Sequence, residues 1–105
     1  MESKDVVIPL SYDAYGYHYK LNKSERIADS NSGVVQYKAL YSSSVEGMSR
    51  LLYEVVIIRI TKGNEFLREN TEKFYARLPS PSKWGLFGWS PTSLRKADEK
   101  YESLN

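Results

Sequence analysis

Apolar and polar residues alternate along two stretches of the N-terminal half. Tyr15 to Leu21 and Val35 to Tyr41 each place every second side chain on one side of an extended chain. This period of two predicts β-strands with one buried face, since successive side chains of a strand point to opposite faces. Asp29 to Gly33, between the two stretches, has the polar composition of a loop. The two stretches therefore predict an antiparallel hairpin with a longer loop.

A third strand is predicted ahead of this hairpin. The apolar run from Val6 to Leu10 is interrupted by Pro9. Proline has no backbone N–H to donate to a neighbouring strand, so this strand is expected at the edge of the sheet. The next four residues, Ser11 to Ala14, have the composition of a turn.

Ser43 to Lys62 is the most apolar stretch of the chain, and its pattern favours a helix. Ser43 and Glu46 have the spacing of a capping box, in which each side chain accepts an N–H of the first turn. A strand over Tyr53 to Thr61 is the alternative, because β-branched residues fill this part of the stretch. The residues that recur at the spacing of one helical face are Met48, Leu51, Leu52, Val55 and Ile58.

A second helix is predicted after a stop at Gly63. Asn64 would cap this helix and Pro79 would end it. A single bent helix over residues 43–78 is the alternative, since it would give a similar pattern. The apolar positions of the second helix are Phe66, Leu67, Phe74, Tyr75 and Leu78.

A third helix is predicted near the C-terminus, with Ser90 as its N-cap and Pro91 in its first position. Its apolar stripe consists of Leu94, Ala97, Tyr101 and Leu104. The predicted fold is α+β: a three-stranded antiparallel sheet packed on a central helix, with two further helices. It forms a single domain over residues 1–105, with the sheet in 1–42, a helical region in 43–78, and an aromatic loop and C-terminal helix in 79–105.

Composition and charge exclude several classes of protein. A chain of 105 residues has the length of one domain, and it contains no cysteine, which excludes disulfides, a thiol nucleophile and thiolate metal sites. The net charge of +2 comes from 15 basic and 13 acidic residues that alternate in sign. Duplex DNA-binding proteins usually carry a basic stripe, and this sequence has none. It also lacks a signal-peptide pattern and a window of about 18 apolar residues, so we expect a cytoplasmic protein without membrane contact.

The sequence has no pattern typical of a catalytic or cofactor site. His18 is the only histidine, which excludes a histidine metal cluster. The glycines form neither a dinucleotide-binding nor a P-loop motif. We therefore expect a protein that is not an enzyme and that uses no cofactor and no metal.

The first candidate binding surface is the aromatic segment between the second and third helices. It consists of Trp84, Phe87 and Trp89, with Lys83 beside them. Large aromatic residues in a glycine-containing loop are typical of binding hot spots, so these four residues are predicted to contact a protein partner. In the alternative interpretation, the segment folds back and closes the open end of the core.

The second candidate surface is a tyrosine row on the predicted hairpin. Tyr15, Tyr17 and Tyr19 share one strand face, and Lys20 lies beside them. Aromatic rings on a sheet can each stack on one base of single-stranded nucleic acid, which gives the alternative function. Tyrosines in this pattern also pack against a core with their hydroxyl groups at its margin.

The segment from Tyr41 to Gly47, Tyr-Ser-Ser-Ser-Val-Glu-Gly, follows the hairpin and leads into the predicted central helix. With the hairpin, this segment resembles small uncharacterised α+β proteins encoded by phages and prophages. The resemblance implies an accessory protein of a phage or mobile element. Such a protein would bind a host or viral protein in the host cytoplasm, as an inhibitor or adaptor.

Overall fold

The structure is a computed structural model that describes residues 8–14, 16–27, 34–44, 51–79, 85 and 88–104. In these residues, six strands form one antiparallel sheet, and one α-helix packs on it. The strands are β1 (Ser11–Ala14), β2 (Tyr17–Arg26), β3 (Val35–Ser44), β4 (Leu52–Lys62), β5 (Phe74–Arg77) and β6 (Gly88–Trp89). A short 3-10 helix (Glu65–Leu67) lies between β4 and β5, and the helix α1 spans Leu94–Ser103.

The strands from β1 to β5 lie side by side in chain order, each antiparallel to the next. β4 is in the middle of the pairing, because β3 covers one of its edges while β5 and β6 share the other. β5 pairs with residues 59–62 of β4, and β6 pairs with residues 55–56. The chain therefore returns twice to the same edge of β4, and α1 follows the second return.

The two faces of the sheet hold separate hydrophobic clusters. The inner face is defined by the larger cluster, whose buried members are Tyr19, Ala39, Tyr41, Val56, Ile58 and Ile60. The outer face is the one on which α1 docks, and its buried cluster consists of Leu40, Val55, Ala97 and Tyr101. β4 is therefore covered on both faces, with Val55 in the outer cluster and Val56 in the inner one.

A bulge in β2 exchanges the faces to which its side chains point. Leu21 pairs with Tyr41 on the inner face, but the next pair in register is Lys23 with Leu40, on the outer face. The extra residue, Asn22, breaks the alternation, so side chains two residues apart point to opposite faces. As a result, the second half of β2 presents polar side chains to α1.

Tyr101 holds α1 on the outer face. Its side chain is fully buried, and burial raises the pKa of its phenol. The Lys38 ammonium lies 4.3 Å from the ring centroid and donates a 3.0 Å hydrogen bond to the Tyr101 carbonyl oxygen. Lys23 lies over the same ring at 4.5 Å, and its hydrogen-bonded pair with Asp98 raises the Lys23 pKa. The Tyr101 hydroxyl donates to the Glu25 carboxylate at 3.2 Å, so the docking is polar at its margin.

The predicted α+β fold, a three-stranded sheet packed on a central helix with two further helices, is wrong. Ser43, the predicted helix cap, is buried near the end of β3, and Leu52–Lys62 is strand β4. β-branched residues fill β4 and both of its faces are covered, so its apolar residues run on without alternating. This continuous run imitates a helical stripe. Glu46, the second member of the predicted capping box, lies outside the described residues.

The second predicted helix is also wrong. Asn64 does act as a cap, but the helix that it begins is the single 3-10 turn Glu65–Leu67. Phe74 and Tyr75 lie in β5 and pair with β4. The described part of residues 43–78 contains no α-helix, so the alternative of one bent helix is wrong as well.

The predicted hairpin and C-terminal helix are confirmed. β2 and β3 pair as antiparallel neighbours, and α1 presents Ala97 and Tyr101 to the sheet. The helix begins later than predicted, because the side chain of Ser93, not that of Ser90, accepts an N–H of the first turn. The predicted edge strand over Val6 to Leu10 is wrong in its described residues, 8–10, which lie outside any strand. The edge strand is instead β1, Ser11–Ala14, which the sequence predicts as a turn.

Candidate functional site

The loop between β4 and β5 has more internal hydrogen bonds than its length requires. The Asn64 side chain accepts the N–H of Phe66 at 2.8 Å, and the Asn64 carbonyl accepts the N–H groups of Leu67 and Glu69. The carboxylate of Glu69 reaches back to accept the N–H of Asn64 at 3.0 Å. These bonds fix the 3-10 turn at both ends, so the loop has one defined conformation.

A two-bond ion pair connects the loop to the sheet. Arg77, in β5, donates from Nη1 and Nη2 to the two carboxylate oxygens of Glu69, each at 2.6 Å. The same guanidinium donates to Thr61 Oγ1 at 3.0 Å and to the Lys62 carbonyl at 3.2 Å. The hydrogen bonds from Arg77 hold the pKa of Glu69 below its ordinary value, and the Asn64 N–H adds to this effect. Paired bonds of this kind fix geometry as well as adding energy.

The two arms of the loop approach so closely that only glycine fits at its start. A Cβ at Gly63 would lie 2.2 Å from the Asn70 carbonyl oxygen and 2.9 Å from the Tyr75 ring. The Tyr75 hydroxyl accepts the N–H of Asn70 at 3.0 Å, which closes the second arm onto β5. The loop is thus a packed extension of the β4–β5 hairpin.

This packed loop exposes its two largest apolar side chains. We call residues Glu65 to Arg68 the tip; within it, Phe66 is 89% exposed and Leu67 is 63% exposed. Exposed apolar residues that are scattered singly, such as Leu10, need no explanation. Two adjacent ones on a loop with a fixed conformation are different, because folding gains nothing from their position. The tip is therefore the strongest candidate for a binding surface in the part of the chain that the structure describes.

Replacing Arg77 with alanine should loosen the tip and leave the rest of the sheet intact. The Glu69 carboxylate would lose both guanidinium bonds, so the amides of Phe66, Leu67 and Glu69 should exchange hydrogen about tenfold faster or more. Native-state hydrogen exchange measures this at single amides. Arg95→Ala, which removes an exposed ion pair on α1, is the matched control. If the tip amides exchange at the same rate in the Arg77 variant and the wild type, the Glu69–Arg77 ion pair does not hold the tip in place.

The predicted partner-binding residues are only partly described. Lys83, Trp84 and Phe87 lie outside the described residues. Trp89 is in β6, opposite Val55, and packs half-buried against the outer cluster. The Lys100 ammonium lies 4.1 Å from the centroid of its indole. Trp89 thus supports the docking of α1 and is itself only half-buried.

The alternative nucleic-acid surface is not a row of open rings. Tyr15 lies outside the described residues, and Tyr19 is 4% exposed, with its ring stacked on Tyr12 at 4.6 Å. Tyr17 is half-buried against the same cluster, while Lys20 is exposed and points to the other face of β2. The structure therefore does not bring Lys20 together with the tyrosines, and the Tyr19 ring has no free face on which a base could stack.

Glu54 is an acidic residue on the inner face. It lies opposite Tyr41 in register and accepts a hydrogen bond from the Tyr19 hydroxyl at 3.3 Å. Burial raises the pKa of Glu54 above its ordinary value of 4.5, and the Tyr19 hydrogen bond partly opposes this. Glu54 could not be recognised as a buried acid from the sequence pattern, because a polar residue at the edge of an apolar run is usually exposed.

Glu54→Gln should stabilise the protein at neutral pH. Because the folded pKa of Glu54 lies above the unfolded one, its favourable contribution is present below pH 4.5 and is lost as the pH rises through the folded pKa. The glutamine can still accept the Tyr19 hydroxyl and carries no charge. Thermal melts from pH 4 to pH 8 should give a difference in Tm between variant and wild type that grows with pH. A difference that is constant across this range would contradict the assignment.

His18 forms only a surface pair. Its Nδ1 lies 2.9 Å from an Asp13 carboxylate oxygen on the neighbouring strand, and both side chains are largely exposed. No three His, Cys, Asp or Glu side chains among the described residues come together as metal ligands. Within the same residues, no helix has the length and apolar character that crossing a bilayer requires.

Comparisons with protein-family models, curated proteins and solved structures find no match. The sequence pattern does not indicate the tip, since it predicts Phe66 and Leu67 as apolar positions of the second helix. A usable signal was nevertheless present. Gly63 and Asn64 mark a turn, and a two-residue apolar step between charged residues is too short to build a buried face.

Proposed function

We propose that this protein is a non-catalytic binding module that recognises a protein partner through the tip. The observation that supports this function is the 89% exposure of Phe66 on a loop that hydrogen bonds hold in one conformation. Aromatic side chains, phenylalanine among them, are enriched in the cores of protein interfaces, and a side chain that is ordered before binding loses less entropy on binding.

The expected setting follows from the resemblance of the Tyr41 to Gly47 segment to phage and prophage proteins. In that setting, the protein acts as an accessory protein of a mobile element, and the tip binds a host or viral protein as an inhibitor or adaptor. The aromatic segment with Lys83, Trp84 and Phe87 is a second predicted contact surface. Trp89 would link this second surface to the outer face of the sheet.

The double variant Phe66→Ser/Leu67→Ser should lose the partner and keep its fold. We expect the complex to weaken by about 2 kcal/mol or more, which is roughly thirtyfold in Kd. The unfolding midpoint should barely change, because surface substitutions usually alter stability by less than about 0.5 kcal/mol. The partner is first isolated from cells that express the wild-type chain. It is then purified, and its binding is measured by calorimetry.

Leu10→Ser is the matched control, since Leu10 is 72% exposed and lies outside the tip. This variant should bind as the wild type does. The mass of the partner should be the same before and after incubation, because the proposed role is non-catalytic. A purified partner that binds wild type and double variant equally would rule out the tip. The absence of any partner that binds in purified form would rule out the function itself.

A further inference from the structure

The charge of the loop limits the kinds of surface that it can approach. Residues 62–73 hold three basic side chains, Lys62, Arg68 and Lys73, and three acidic ones, Glu65, Glu69 and Glu72. The segment is therefore electrically neutral. Nucleic acids and anionic membranes attract proteins through an excess of lysine and arginine, which this loop lacks. Its charge pattern instead suits a surface that itself carries both signs.

The two charged residues next to the apolar pair have opposite signs. Glu65 precedes Phe66 and Arg68 follows Leu67, and both charged side chains are exposed. An apolar centre with a polar rim is the usual anatomy of a protein interface, and here both rim groups are charged. Here the margin has a direction, with a negative group at one end of the tip and a positive group at the other.

The tip keeps this direction because its backbone is fixed. Arg68 has φ of 56°, the left-handed conformation that few non-glycine residues adopt, and its N–H donates to the Glu65 carbonyl at 3.0 Å. Together with the Asn64 cap and the Glu69–Arg77 pair, this bond holds the tip before any partner arrives. A fixed tip fits a pocket that is itself already formed, because neither side then has to be ordered on binding.

We infer that the partner of the tip is a folded protein with a preformed apolar pocket that takes Phe66 and Leu67. The rim of that pocket carries a basic group opposite Glu65 and an acidic group opposite Arg68. This inference rests on the proposed function and specifies the partner for the same site. A membrane surface and a second copy of this chain are the other possible occupants, and the experiment separates them.

The first arm uses the photoreactive amino acid benzoylphenylalanine at position 66 of the full chain, with the same group at position 10 as the control. Irradiation of cells should link position 66, and not position 10, to one protein of defined mass. A link to a second copy of this chain would overturn the inference in favour of self-association. Equal products at both positions would show that the tip is not a specific surface and would overturn it as well.

The second arm tests the rim with a charge exchange. Glu65→Arg combined with Arg68→Glu leaves the net charge unchanged and inverts the direction of the tip. The partner that the cross-link identifies is purified in its free form. Its binding to the charge-exchanged chain should be tenfold weaker or more, while the unfolding midpoint stays within error of the wild type. An effect below twofold, with Phe66→Ser/Leu67→Ser still abolishing binding, would overturn the proposed rim and leave the proposed function standing. If neither variant weakens binding, the tip is not the binding site, and both the proposed function and this inference are overturned.

The third arm uses vesicles of phosphatidylcholine alone and of phosphatidylcholine with phosphatidylserine. The neutral loop should not sediment with either kind at physiological salt. Sedimentation that requires Phe66 would identify a lipid surface as the occupant and would overturn the inference. The absence of sedimentation with either kind of vesicle, for wild type and Phe66→Ser alike, would support a protein as the occupant of the tip.

Discussion

Tyr101→Ala should lower the free energy of unfolding by about 3 to 5 kcal/mol, the usual effect of removing a buried aromatic ring. The ring is fully buried between α1 and the outer face of the sheet. Its loss would leave a cavity, and it would also remove the surface against which the ammonium groups of Lys23 and Lys38 lie. Lys38 is 6% exposed, so its buried ammonium would lose the contact with the ring and keep the hydrogen bond to the backbone carbonyl at position 101.

Two further variants complete the test of Tyr101: one removes only its hydroxyl, and the other is a surface control on the same helix. Tyr101→Phe keeps the ring and removes only the hydrogen bond to Glu25, so a loss of about 1 kcal/mol is expected. Leu94 is 46% exposed on α1, so Leu94→Ala should change stability by less than about 0.5 kcal/mol. Urea unfolding followed by circular dichroism measures all three. A Tyr101→Ala loss as small as that of Leu94→Ala would mean that α1 is not docked as described.

The sequence was sufficient to predict those elements that are buried on one face only. The first half of β2 and the amphipathic helix α1 each alternate between polar and apolar at their own period, so pattern and structure agree. β4 could not be predicted in the same way, because the inner cluster covers Val56 and α1 covers Val55. A strand buried on both faces has no alternation of polar and apolar residues. The capping-box spacing at Ser43 therefore favours a helix where the structure has strand β4.

The candidate site was harder to predict than the fold, because exposure is a tertiary property. Phe66 and Leu67 have the composition of core residues, and only the hydrogen bonds of the loop show that they point outward. The ion pair of Glu69 and Arg77 joins residues eight positions apart, across the β4–β5 hairpin, which the sequence pattern does not predict. Tyr19 shows the opposite case, since a row that could have been an open platform is part of the inner cluster.

Ile60→Ala should cost about 2 to 5 kcal/mol, whereas Leu52→Ala should cost less than about 2 kcal/mol. In the structure, Ile60 is 3% exposed and lies between Val35 of β3 and Ala76 of β5 in register. Leu52 is half-buried at the start of β4. The helical interpretation places Leu52 on the buried stripe and Ile60 off it, so it expects the reverse order. The unfolding midpoints of the two variants, measured in urea with the wild-type slope, therefore decide between strand and helix, and a larger loss for Leu52→Ala would contradict the sheet described for this chain.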